Sequence, residues 1–380
     1  MNHSGTIPSS SPRRARWVHA VLYGGLLCLG CGRAAAADRA HVLNIYAWPE
    51  YFPPALIAKF EAESGIHVNY AVLDSPQMAE TILSVGSSNY DLVTMNAAPE
   101  LGREIPKGFW KVLDRGRIPN ARNADAKIMQ LLGTVDPNNE HAVPWMWGTT
   151  GLIYDRDKIK SLMPNAPVAS LDMVLNKTVA AKFASCGIGL IDSWGDILPM
   201  VARYLGQPAL SANPPQLAAV TAKLEEIKPY LRRISTSGYY QELAEGELCL
   251  AIGYSGDALI ARRMVKESHG TRTIEYSFAR EMVPFYIDSM VIPADSPNAV
   301  GAMAFINFAM RPEESAAVTR FIGFATANAA AVPLLEPAVR DNGVIYPPLN
   351  VRDRFELQKV YSAEEVRAFN RAWLQFKAEL

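Results

Sequence analysis

Apolar and polar positions alternate through Val68-Asn69-Tyr70-Ala71-Val72, a two-residue period that predicts a strand. Just ahead of it, Leu56, Ile57 and Phe60 recur at helical spacing within Pro53 to Ser64, and Gly65 is placed to stop that helix. Val42 to Tyr46 predicts an earlier strand. Ser75-Pro76 supplies an N-cap and a first-turn proline for a helix running to Val85 and closed by Gly86, and Asp91 to Met95 predicts a third strand. This βαβαβ series predicts an α/β fold with a parallel, doubly wound sheet.

The apolar, aromatic run His141 to Tyr154 fits either an ordinary strand or a segment crossing between two halves, with its glycines absorbing a hinge. A second series follows. Strands are predicted at Gly187 to Ile191, Cys249 to Ile252 and Phe285 to Ile292, and helices at Ile197 to Leu205, Pro215 to Ile227, after Asp257, near Asn298 to Ala309, Glu313 to Phe324 and Ala363 to Ala378. No internal repeat, low-complexity tract or flexible linker interrupts them.

The first 37 positions follow a different rule. Arg13, Arg14 and Arg16 precede the apolar run Val18 to Gly30, and Ala34 to Ala37 precede Asp38, the order of a secretory signal peptide cut near Ala37. Two variants remain open, a lipidated Cys31 and a twin-arginine signal at Arg13-Arg14. No later run reaches the roughly 18 apolar residues of a membrane span. Removing residues 1–37 leaves 33 basic against 38 acidic side chains, an acidic surface that argues against a nucleic-acid partner. Two cysteines remain, Cys186 and Cys249. In an exported protein they are expected to pair, the alternative being two buried thiols.

Candidate chemistry begins at Ile45-Tyr46-Ala47-Trp48-Pro49-Glu50-Tyr51, where an apolar run ends in aromatics around a carboxylate. The aromatics read either as core filling beside a helix start or as a cation site, because aromatic faces attract ammonium groups and a carboxylate neutralises them. Asn96 follows the third strand. Strand ends in open α/β sheets are where ligands bind. Three more acids, Asp196, Asp257 and Asp288, stand at or just after strands. Asp196 has capping-box spacing from Ser193, and Asp257 suits a helix N-terminus, so both also have purely local readings. Asp288 interrupts an apolar run, where a lone carboxylate is costly without a partner. The histidines lack metal spacing, and no nucleophile elbow, P-loop or dinucleotide glycine motif is present. No cofactor, metal or enzymatic activity is expected.

Six stretches together carry a family resemblance: Tyr46 to Tyr51, Phe60 to Gly65, Tyr90 to Val93, Met146 to Gly151, Ala251 to Asp257 and Ile345 to Pro348. The chain resembles the periplasmic putrescine/spermidine-binding proteins of ABC transporters over nearly all of its mature length. That resemblance implies a two-lobed periplasmic binding fold, type II-like, with a ligand cleft between lobes made of residues 38–146 plus 271–320 and of residues 147–270 plus 321–380. It implies ligand carboxylates at Glu50, Asp196, Asp257 and Asp288, an aromatic box at Trp48, Tyr51, Tyr254, Tyr286 and Phe324, and a disulfide between Cys186 and Cys249. The implied partners are a polyamine and an inner-membrane ABC permease, and a periplasmic monomer is expected; the alternative reading is a polyamine sensor coupled to a membrane signalling partner. The chain departs from the family pattern at Pro49, where relatives carry Ser or Thr, and at Glu50, Asn96, Ala98, Gly238, Tyr254 and Phe324. The charges are kept while the polar trim changes, so the choice among polyamines stays open.

Overall fold

The computed structural model describes residues 41–73, 76–86 and 88–378; the signal segment 1–37 with Cys31, and the Ser75 cap, lie outside the described residues. The opening series forms as its pattern predicts. Strand β1 (Val42–Ala47) is followed by helix α1 (Pro54–Ser64), β2 (His67–Val72), α2 (Pro76–Ser84) and β3 (Leu92–Asn96). Helix α1 has a proline in its first turn and ends at Gly65, whose φ of 70° is the left-handed conformation that glycine adopts without penalty. β1 pairs in parallel with both β2 and β3.

The remaining strands are β4 (Ala142–Asp155), β5 (Ile188–Leu190), β6 (Leu231–Ile234), β7 (Leu250–Tyr254), β8 (Ile274–Ser277), β9 (Val283–Val291), β10 (Ala325–Thr326) and β11 (Phe355–Leu357). The strand order is β2-β1-β3-β9-β4-β7-β5-β6. A uniformly parallel sheet is therefore not what forms. β5 is parallel to β6 and β7, but β9 returns from far along the chain and inserts antiparallel between β3 and β4. Local periodicity cannot report this, because strand direction is set by the long connection rather than by the strand's own residues.

β4 resolves the two readings of the aromatic run. It is one continuous, wholly buried strand whose first part, Ala142–Thr149, pairs with β9, and whose second part, from Thr150, pairs with β7 and β8. It thus passes from one half of the molecule into the other. The apolar cores follow that passage. One gathers Leu152 to Met282 together with Tyr361, Phe369, Trp373 and Phe376 of the last helix and its approach. The others gather side chains from β1, β3, the first part of β4, β9 and the helices Ala299–Ala309 and Pro312–Ile322. Phe324, Ala325, Ala327 and Ile345 pack with this first half. β10 pairs with the first part of β4, and β11 pairs with β9. No helix among the described residues is long and apolar enough to cross a membrane.

Cys186 and Cys249 are joined by a disulfide with a Cα–Cα distance of 5.5 Å. It ties the turn before β5 to the start of β7 and closes a loop of 63 residues, worth roughly 4 kcal/mol in the chain-entropy account. Thiol titration of denatured, unreduced mature protein should find no free thiol, and the Cys186→Ser, Cys249→Ser double variant should lose about that stability in urea unfolding. An unchanged midpoint would show that the bridge stabilises nothing.

Candidate functional site

The pairing of β4 with its neighbours brings the candidate site residues together. Met146 lies opposite Asp288, Gly148 opposite Tyr286 and Thr150 opposite Tyr254. Successive alternate residues of a strand share a face, so these three β4 positions present one surface, and Tyr286 and Asp288 share a face of β9. Gly148 is small for a reason of space: a Cβ there would sit 2.3 Å from the Tyr286 hydroxyl. Gly256 likewise lets the Phe324 ring approach to where a Cβ would be 2.3 Å from it. The rings of Tyr254 and Tyr286 meet edge-on with centroids 5.4 Å apart, and Phe324 lies 5.9 Å from Tyr51 and 6.5 Å from Tyr286.

Three carboxylates stand in this aromatic surround, with Asp196, Asp257 and Asp288 only 4, 8 and 5% exposed. Each is held by hydroxyl groups rather than by a cation. Asp288 accepts a hydrogen bond from the Tyr51 hydroxyl. Asp257 accepts from Tyr239 at 2.6 Å, and that hydroxyl in turn accepts the Tyr254 N–H at 2.9 Å. Asp196 accepts from Thr150 at 2.8 Å, from Ser193 at 2.7 Å and from Tyr254 at 3.3 Å. Asp196 and Asp257 do stand in the first turns of helices, as their local readings expect, but their hydrogen bonds are not those of a cap. Ser193 is the N-cap of the helix Trp194–Tyr204, yet its side chain makes no capping bond and donates to Asp196 instead. Asp257 is in the first turn of the helix Ser255–Glu267, but its bond is to Tyr239.

The other predicted positions are arranged around them. Trp48 Nε1 and Tyr286 Oη are buried with no hydrogen-bond partner, as is Asn96 Oδ1, and the Trp48 N–H lies close enough to Asp288 to favour its ionised form. Asn96 faces Asp288 across the β3–β9 pair. Glu50 is not among the buried acids. The Tyr51 N–H bonds to the Trp48 carbonyl, closing a turn with Pro49 second and Glu50 third at φ 63°. Proline second and a left-handed third residue are the marks of a type II turn. It leaves the Glu50 side chain 47% exposed, with Arg263 at 3.9 Å. Glu50 thus stands at the rim.

Tyr239 and Thr150 escape the sequence reading because their importance lies in what they touch, whereas Ser193 is visible there only as a cap. The only local hint was Gly238, whose φ of 80° caps the helix Tyr239–Glu245 and so delivers Tyr239.

Burial dominates the electrostatics. It pushes Asp257 up to about 7, with Glu50 adding to the rise and the Tyr239 hydroxyl opposing it. Asp288 is pushed up to about 6 by burial, against the pull of Tyr51 and Trp48 and with a further push from Asp196. Asp196 is raised by burial too, opposed by its hydroxyl donors. An acid raised in the folded state binds more protons there than in the unfolded chain, so its contribution to stability is lost as pH rises. For Asp257 that loss spans from about pH 4 to about pH 7. The stability of Asp257→Asn relative to the unliganded wild type should therefore climb across this window in paired thermal unfolding. A difference that stays flat would mean that Asp257 ionises as freely as in an unfolded chain.

Comparison with known proteins accords with this architecture. Residues 55–344 match the family model described as bacterial extracellular solute-binding protein. The putrescine-binding periplasmic protein SpuD of Pseudomonas aeruginosa is 38% identical over 348 residues, covering 91% of this chain and 94% of its own. The putrescine-binding periplasmic protein PotF of Escherichia coli is 34% identical over 365 residues, 96% of this chain and 98% of its own. A solved structure from Listeria monocytogenes is similar at a TM-score of 0.80 and 27% identity, over 90% of this chain and 100% of that one. The chain belongs to the bacterial extracellular solute-binding proteins.

Proposed function

We propose that this protein captures a linear diamine or polyamine in the cleft lined by β4 and β9 and delivers it to an ABC permease of the inner membrane. The observation that carries this reading is the set of buried carboxylates inside an aromatic box, Asp257 with Tyr239, Asp288 with Tyr51, and Asp196 with Thr150, Ser193 and Tyr254. Ammonium ends would complete the carboxylates, while the faces of Trp48, Tyr254 and Tyr286 pack against the methylene chain. Charge-assisted bonds of roughly 1.5 to 3 kcal/mol and cation–π contacts of about 0.5 to 2 kcal/mol are offset by association and ordering costs. Their surplus is on the scale of the roughly 8 kcal/mol of micromolar binding.

The relatives named for putrescine support the ligand class, and their periplasmic designation supports export of this chain; cleavage near Ala37 is proposed in preference to a lipid anchor at Cys31 from the run Ala34 to Ala37. None of those names describes a sensor, and the signalling alternative is not carried further. The lobes proposed from the cores are residues 41–149 with 283–357, and residues 150–282 with 358–378. The ion pair of Glu50 with Arg263 then spans the rim between them, and binding is proposed to act on a monomer whose lobes close over the ligand.

Titration calorimetry with putrescine, cadaverine, spermidine, spermine and agmatine tests the reading. At least one amine should bind, and Asp257→Asn or Asp288→Asn should weaken it about tenfold or more with the fold intact. No heat with any amine would contradict the function, while undiminished affinity in both variants would remove the two acids from the site.

A further inference from the structure

β3 ends at Asn96, opposite Asp288, and the chain then winds one tight turn, Ala97–Leu101, in which every residue is buried. Within that turn sits Glu100, an acid to which no role has been assigned so far. It is 6% exposed, and its Oε2 has no hydrogen-bond partner. The cation beside it is committed elsewhere, since Arg103 donates to Glu80 at 2.8 Å. A carboxylate oxygen enclosed without a donor is a costly arrangement unless something supplies one.

Glu100 also has acids of the candidate site as electrostatic neighbours. Glu50 is the acid that acts on Asp257, Asp196 acts on Asp288, and Asp196 and Asp288 act on Glu100. Glu104, one helical turn on, is influenced by Glu100 and Glu80. Glu100 thus neighbours Asp196 and Asp288, and its buried turn begins directly after Asn96, the residue paired opposite Asp288. The unpartnered atoms Asn96 Oδ1 and Tyr286 Oη flank Asp288, the first residue across the β3–β9 pair from it and the second two positions away along β9. A diamine carries two cationic ends, which Asp257 at one place and Asp288 with Asp196 at the next already match.

We propose that Glu100 is a further cation-binding residue of this cleft, so that the preferred ligand carries a third ammonium group, a triamine rather than a diamine. This rests on the polyamine reading given above. Burial and the neighbouring acids hold Glu100 up at about 7, with Arg103 opposing them, so at neutral pH part of the population is protonated. Seating an ammonium there drives that proton off. Asp196, Asp288 and Glu104 are the other acids that face Glu100, and Arg103 is the base.

The test is calorimetry at neutral pH with putrescine and spermidine, on the wild type and on Glu100→Gln. Spermidine should bind the wild type more tightly than putrescine. In Glu100→Gln its affinity should fall about tenfold while that of putrescine changes little, and Glu104→Gln should leave the ratio of the two alone. Repeating the wild-type titrations in buffers of different ionisation enthalpy gives a readout that needs no variant, and spermidine should release more protons than putrescine. Equal proton release, an unchanged spermidine-to-putrescine ratio in Glu100→Gln, or a wild type that prefers putrescine would overturn the role of Glu100. A wild type that binds neither amine would instead overturn the polyamine reading beneath it.

Discussion

Desolvation of carboxylates at the seam between two half-sheets is the constraint on which the rest of this molecule turns. β4 runs through both halves, and the alternate residues Met146, Gly148 and Thr150 bring Asp288, Tyr286 and Tyr254 onto one surface. The acids placed there are more than nine-tenths buried, and burial is the largest influence on each. Hydroxyl groups from Tyr51, Tyr239, Thr150 and Ser193 keep them in position without cancelling their charge. Such a surface is poorly satisfied by water and well satisfied by ammonium groups on an apolar chain, because the same aromatic walls that exclude solvent attract cations to their faces.

The seam also explains what the local pattern could and could not disclose. Periodicity located β1, α1, β2 and β3, since each carries its own signal: alternation, an apolar helical face, or a glycine stop at Gly65. Strand ends and charge economy singled out Asp196, Asp257 and Asp288 before any tertiary contact was considered. What stayed hidden was tertiary in origin. The insertion of β9 between β3 and β4, the packing of Phe324 and Ile345 with the first half, and the bond from Tyr239 to Asp257 all join positions far apart in the chain. Glu100 was invisible for a related reason, because an acid in a turn reads as solvated until the turn is seen to be buried.

Glu50 marks the boundary between these two kinds of information. Its aromatic neighbours Trp48 and Tyr51 lead into the cleft, but the turn formed with Pro49 holds Glu50 itself at the rim in a left-handed conformation. Non-glycine residues adopt that conformation at a cost, and it persists where surrounding structure imposes it. Here the fixed φ of proline and the bond from Tyr51 to Trp48 impose it, and the charge is directed toward Arg263 on the facing helix. Pro49 thus sets the turn that holds Glu50 out at the surface, away from the buried acids.

The most direct test is a crystal structure of the mature protein with a bound polyamine. The amine nitrogens should lie about 2.7 to 3.2 Å from carboxylate oxygens of Asp257 and Asp288, with the methylene chain between the rings of Trp48, Tyr254 and Tyr286. An amine bound outside the β4–β9 cleft, or one whose nitrogens reach only Glu50 at the rim, would contradict the account.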